Sequence, residues 1–413
     1  TYSREAIISY LLDGVRVIDA ASYLAGPGAA TVLADYGADV IKIEALSGDG
    51  YRKLKGAFPI DYNWLLTSRN KRSVALDLGH PEAREIVHRL ARGADVFLTN
   101  FIGTQLAKYE LEYDRLKELN PRLIYAHISG YGTEGPEVQR RAFDATAWWA
   151  RSGLMEFIRG QGSDPVASAP GMGDQATSMS LFAAIMTGLY RREKTGEGAL
   201  VSTSLIANGV WSNGMALQGV LEGMDVGKRK QEHGVHNPFG HVYRTSDGHY
   251  VLFVMINAER EWPQLAAAMG RSEWTSDPRF LDMPTLIINR LELIDLIQEV
   301  IGSMTIGQTL KTLDQHEITY GHVRPMGQVV DDPQLAANEI IVQTNDPGDD
   351  YHRTIMSPIQ IDEEPKRPPR RAPDIGAQTR EVLTELGIDG TEIDRLITNG
   401  TAGEPTSTDD NIH

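Results

Sequence analysis

Three neighbouring residues have the types and spacing to do chemistry. Gly171 and Gly173 make a tight bend, and a single acid, Asp174, follows at once. Behind it runs an apolar stretch that meets no charge until Arg191. Its Leu181, Ala184, Ile185 and Leu189 are spaced for one face of a helix. From spacing alone two readings of Asp174 stand. In one it is the N-cap of a buried helix, accepting backbone N–H groups at the positive end of the helix dipole. In the other it is a carboxylate delivered by a glycine turn into a pocket, able to act as nucleophile or base.

The elements that must position it lie mostly upstream. Val15–Asp19 reads as a strand, Ala25–Tyr36 as a glycine turn and helix, and Asp39–Glu44 as a second strand, together a βαβ unit. A nicotinamide-dinucleotide fingerprint would need a third glycine where Thr31 stands, which argues against that ligand. The pattern continues with a helix over Pro81–Arg92, strands over Ala94–Asn100 and Leu123–Ser129, and a loop over Gly130–Pro136. The cluster Arg69, Lys71 and Arg72 precedes a short strand. It is either a solvated turn or a patch for phosphate groups, which need cationic partners.

The run Ala199–Leu221 carries no charge. Asn208, Asn213 and Gln218 within it favour a buried helix over a membrane span. The chain then turns polar, as a linker would. A hairpin is expected over His241–Val254 around Asp247 and Gly248, with helices over Leu291–Met304 and Gln308–Leu313. Gly321–Gly327 reads as a crossover back to the first domain, and Lys366–Pro373 as a rigid Pro-rich connection. A last helix is expected over Thr379–Leu386, then a polar, frayed tail from Thr401. The domains so defined are 1–221, 222–327 and 328–413.

Composition limits the partners. The chain has 413 residues, 41% hydrophobic and 23% charged, ordinary for a globular protein able to build a core. Net charge is 40 − 56 = −16, which argues against nucleic acid or an anionic membrane but allows a local basic pocket. There is no cysteine, hence no thiol nucleophile or disulfide, which fits a reducing compartment. No basic segment followed by an apolar core opens the sequence, so no signal peptide is expected and a cytoplasmic location is. His233, His236 and His241 flank a loop without a carboxylate at ligand spacing, so no metal is expected.

The stretch around Asp174 resembles the active-site segment of the family III CoA-transferases. In that family an Asp in a Gly-Asp step opens a helix and a Thr-Gly-x-Gly turn follows. Here the turn is Lys194-Thr-Gly-Glu-Gly198, leading into Leu200–Leu205. The resemblance runs from about Gly14 to Asn399 and implies that Asp174 is catalytic. It also implies an α/β fold, with a Rossmann-like CoA-binding large domain and a smaller α/β domain, in two chains interlocked as a homodimer. Implied CoA contacts are Leu24 and Ala25, then Arg72 with Leu76, Asp77 and Leu78, then Asn100 and Phe101, and finally Gly130 and Tyr131. Lys108 joins them, standing where the formyl-CoA branch has Arg. Gly26 and Gly28 are expected to let backbone approach the ligand. Ala45 keeps nothing of a family Arg at the adenine end.

Phe143 stands where the racemase branch has a His. Phe cannot carry a proton, and α-carbon racemisation needs two carriers. Arg141–Gly153 resembles the branch that uses phenyllactate. Within it Trp148 and Trp149 either wall an acyl pocket or belong to the core. Gly234–Gly240 is a candidate lining for the acyl site. The implied activity is transfer of CoA from an acyl-CoA to a free carboxylic acid, through an anhydride and a thioester on Asp174, with coenzyme A entering as acyl-CoA substrate and no metal. The alternatives are an acyl-CoA isomerase using Asp174 as base, and a CoA-binding protein without turnover.

Overall fold

Parallel strands covered by helices on both faces must be apolar on both sides, and the strands of this chain are. Val17, Val40, Val96, Leu98 and Ile124 pack on one face against Ala29, Leu33, Leu181, Ile185 and Leu189. Their neighbours Ile18, Ile41, Phe97 and Tyr125 face the other way, with Val74, against Ile86, Val87, Leu90, Val382, Leu383, Ile393 and Leu396. The structure, a computed structural model, describes residues 9–160, 162–226, 237–346, 348 and 350–405.

The strands are β1 (Arg16–Asp19), β2 (Asp39–Glu44), β3 (Arg72–Leu76), β4 (Val96–Thr99), β5 (Ile124–Ser129) and β6 (Ala199–Ser204). They lie in the order β3-β2-β1-β4-β5-β6, all parallel. Helices Ala25–Asp35 and Pro81–Arg92 connect β1 to β2 and β3 to β4, and the long helix Met172–Thr195 precedes β6. The direction of travel reverses between β1 and β4. In open α/β sheets a crevice for ligand opens at such a point, outside the carboxyl ends of the strands.

Three local expectations are corrected. The run Ala199–Leu221 is β6 followed by helices Leu205–Ser212 and Gly214–Leu221, because its β-branched start pairs with β5. Among the described residues no helix is long and apolar enough to cross a membrane. The tail does not fray at Thr401: Ala402–Gly403 pairs antiparallel with β3, and the buried Thr401 accepts the Asp77 N–H at 2.9 Å. Tyr320–Val323 is a strand, not a crossover. Gly26 and Gly28 also pack closely. A Cβ on Gly26 would meet Ala21 at 2.5 Å, and one on Gly28 would meet Ser178 Oγ at 2.6 Å.

The chain divides into two compact units. The first takes Thr1–Ile158, Pro165–Gly214 and Asn338–His413 and holds the parallel sheet. The second takes Arg159–Asp164 and Met215–Ala337. In the second, Val242–Arg244, Tyr250–Phe253 and Tyr320–Val323 form an antiparallel sheet. Its first two strands turn at Asp247 and Gly248, where Gly248 takes a φ of 83°. Tyr243, Val251 and Phe253 pack there on Trp262, Leu265, Leu293 and Ile297. Of the sequence features named above, His233, His236 and the first part of Gly234–Gly240 lie outside the described residues.

Candidate active site

Gly171 takes φ 76°, a left-handed conformation that glycine adopts without strain, and is the N-cap of helix Met172–Thr195. Asp174 is therefore not the cap. It sits in the first turn, with its carboxyl group accepting no hydrogen bond from the described residues. The first turn of a helix favours an anion. Here burial first, and the charge of Asp144 second, push the Asp174 carboxyl up to about 7. Tyr51 feels Asp174 in turn. Burial and then that charge raise its hydroxyl to about 12, so it is a neutral phenol beside the acid.

A second segment holds the start of this helix. Asp144 caps a π-helical turn, Ala145–Ala150, with its Oδ1 accepting the Ala145 N–H at 2.7 Å. Its Oδ2 accepts the Gly173 N–H at 3.3 Å. One turn on, Trp148 lies against Gly173, where a Cβ would come within 2.6 Å of the ring. Trp148 and Trp149 are buried and stack with planes 11° apart. They belong to the core and do not line the cavity described next.

The loop after β1 is fixed by buried charge. Asp19 Oδ1 accepts the Ala21 N–H at 3.2 Å while its other oxygen pairs with Lys71 Nζ at 2.8 Å. Lys42 Nζ donates to the Ala21 carbonyl and pairs with Asp49 at 3.0 Å. Asp49 accepts the Tyr23 N–H at 3.1 Å, and Asn100 exchanges two 2.9 Å bonds with the backbone of Ser22. Both lysine side chains are fully buried. Under these restraints Tyr23, a bulky residue, holds φ 65°. Its ring meets that of the exposed Phe143 edge to face at 5.9 Å.

These segments wall a cavity of about 740 Å³ at the carboxyl ends of β1, β4 and β5. Asp174 is on its wall, as are Tyr23, Phe143, His127 and Arg141. His127 donates its Nε2–H to the Phe101 carbonyl at 3.0 Å, and burial holds its pKa below the usual value. Of the residues implied by the family resemblance, Leu24, Ala25, Asn100, Phe101 and Gly130 line this cavity with Asp174. Arg72, Leu76, Asp77, Leu78, Lys108 and Tyr131 are not among its lining residues.

The basic cluster ahead of β3 is neither a solvated turn nor a row of free cations. Arg69 makes a buried bidentate pair with Asp35, and Lys71 pairs with Asp19. Arg72 is shared among Asp39, Glu381 and Glu385. Reading the sequence missed Tyr23, Tyr51, His127 and the contact made by Asp144. His127 alone carried a signal, as a polar residue at the end of an apolar strand. Among the described residues no three His, Asp or Glu side chains are grouped to hold a metal ion.

Comparison with known proteins adds the following. The model of CoA-transferase family III matches residues 12–379. The chain is 28% identical to (R)-2-hydroxy-4-methylpentanoate CoA-transferase of Clostridioides difficile, over 94% of this chain and 98% of that one. It is 28% identical to cinnamoyl-CoA:phenyllactate CoA-transferase of Clostridium sporogenes, over 94% of this chain and 96% of that one. Among solved structures, a CAIB/BAIF family protein from Brucella suis matches with a TM-score of 0.80 at 26% identity, covering 92% of this chain and 100% of that one.

Proposed function

The chain belongs to CoA-transferase family III, and on that premise we propose that it moves CoA from an acyl-CoA to a free carboxylic acid with Asp174 as the nucleophile. One placement carries the proposal. A partly buried carboxyl without a hydrogen-bond partner among the described residues stands in the first turn of a helix, on the wall of a cavity large enough for a substrate. Its pKa near 7 leaves a useful fraction ionised at neutral pH.

The ionised carboxylate attacks the thioester carbonyl, and CoA thiolate leaves from the tetrahedral adduct, giving an anhydride between Asp174 and the acyl group. The thiolate then attacks the aspartyl carbonyl carbon, and the donor acid departs as its carboxylate, leaving an aspartyl-CoA thioester. The acceptor carboxylate attacks that thioester and releases the thiolate. The thiolate attacks the acceptor's acyl carbon and frees Asp174. No proton needs to move, and an anhydride is at least as activated as a thioester, so the acyl group keeps its activation through each step. Each developing oxyanion needs a backbone N–H donor near the glycine turn, and the Gly173 N–H, taken by Asp144, is not that donor.

The CoA thiol end is assigned to the cavity wall at Leu24, Ala25, Asn100, Phe101 and Gly130. The rings of Tyr23 and Phe143 favour a bulky apolar or aromatic acyl group. The chain is taken to work as an interlocked homodimer in the cytoplasm. The test uses an acceptor acid labelled with oxygen-18 in its carboxylate. Turnover should leave label on the peptide that contains Asp174. Exchange of the substrate α-proton with deuterated water, without label on the protein, would instead favour an isomerase.

A further inference from the structure

The helix that carries Asp174 begins on a residue that cannot cap it. Gly171, its N-cap, has no side chain to receive the N–H groups of the first turn. The missing acceptor comes from 29 positions before Gly173 in the chain. Asp144, only 8% exposed, reaches the Gly173 N–H with one carboxylate oxygen and the Ala145 N–H with the other. Its anchor is a π-helical turn, a rare element that recurs at functional sites. The same turn presses Trp148 on Gly173, so two side chains of one segment grip the residue immediately before the nucleophile.

We propose that Asp144 is a positioning residue for Asp174, capping from outside the first turn of the nucleophile's helix and holding a second negative charge beside it. The inference rests on the reading of Asp174 as the nucleophile. A cap could have been any neutral acceptor, since Ser or Asn serve as well as Asp. An acid at this place does something more. It opposes the helix dipole, which alone would draw the Asp174 carboxyl toward full ionisation at low pH. The carboxyl is kept more basic, and a more basic carboxylate is the stronger nucleophile once ionised.

Other groups near Asp174 are neutral or lie along the cavity. Tyr51 is the phenol beside it. Tyr23, Glu112, Tyr113, His127, Arg140 and Arg141 share the wall, and Arg140 is paired with Glu137. Asp144 is the one whose charge bears on the Asp174 carboxyl alongside burial.

The test separates cap from charge. Asp144→Asn keeps an acceptor for the Gly173 N–H and removes the charge, and Asp144→Ser does the same with a shorter group. Infrared difference titration, with Asp174→Asn as the subtraction control, reads the protonation of Asp174 without substrate. The midpoint should fall by about one pH unit or more in both variants. The acid limb of the pH profile for acyl-CoA charging should move the same way, with slower charging at the alkaline plateau. A midpoint that falls by less than about one pH unit, or that rises, overturns the proposal. Because the spectroscopic midpoint needs no turnover, a protein that never forms an acyl adduct would contradict the transferase reading and leave this outcome separately readable.

Discussion

Trp148 lies so close to Gly173 that a Cβ there would come within 2.6 Å of its Cγ and 2.7 Å of its own Cβ. The contact is to the root of a buried indole, which cannot swing aside. Gly173→Ala should therefore shift the first turn of the helix that carries Asp174. A misplacement of about 1 Å costs on the order of 100-fold in rate. We expect that loss in kcat with a stability change of only about 1–3 kcal/mol. Steady-state kinetics beside a denaturant titration check it, and full activity with the fold intact would contradict it.

The ionisation of Asp174 makes a prediction about stability. Its carboxyl titrates near 7 in the folded chain and near the ordinary carboxylate value once unfolded. Between those values the folded state holds the extra proton, so stability falls as pH rises from about 4 to about 7 and is flat above. Asp174→Asn removes that slope. The variant should match the parent near pH 4 and exceed it at pH 8 by on the order of 2 kcal/mol, a discounted figure because the group is partly exposed. Chemical denaturation at the two pH values reads the difference, and equal gaps at both would contradict it.

Two cations next to each other in sequence should behave differently. Lys71 is fully buried with Asp19, so Lys71→Ala leaves an unpaired buried carboxylate and should cost about 3–5 kcal/mol. Arg72 is partly exposed and shared among three acids, so Arg72→Ala should cost about 1 kcal/mol. Its guanidinium is already occupied, and KM for acyl-CoA should stay within about twofold. A tenfold rise in that KM would return Arg72 to the CoA phosphates.

That pair also shows what a sequence conveys and what it withholds. Consecutive apolar residues in β1, β2 and β4 announce a two-sided parallel sheet, because the burial requirement acts on each strand separately. Gly171 and Asp174 are legible for the same reason: a turn and the residue after it are local. The fate of Lys71 is not, since Asp19 lies 52 positions away and only the sheet brings them together. Tyr23 carries no sign of its left-handed backbone, which Asp49 and Asn100 impose from other loops. The uncharged run after Ala199 looked like one helix because burial is legible in composition, whereas pairing with β5 is not.

Phe143, 60% exposed, lines the cavity with its ring edge-on to Tyr23. If this pair receives the acyl group, Phe143→Ala should lower kcat/KM for an aromatic acyl-CoA about tenfold and for a short aliphatic one by less than about threefold, an aromatic contact being worth roughly 0.5–1.5 kcal/mol beyond the area it buries. Paired assays on the two substrates check this. An equal loss on both would make Phe143 a structural residue of the rim.

The central claim is that Asp174 is acylated during turnover. The direct measurement is to incubate the protein with a panel of aromatic and aliphatic acyl-CoAs, add hydroxylamine, and map the adduct by peptide mass spectrometry. The account predicts a hydroxamate on Asp174 with at least one acyl-CoA, and none in Asp174→Asn. A protein that transfers CoA between acids in the same tube while Asp174 stays unmodified, or an Asp174→Asn variant that transfers as fast as the parent, would contradict it.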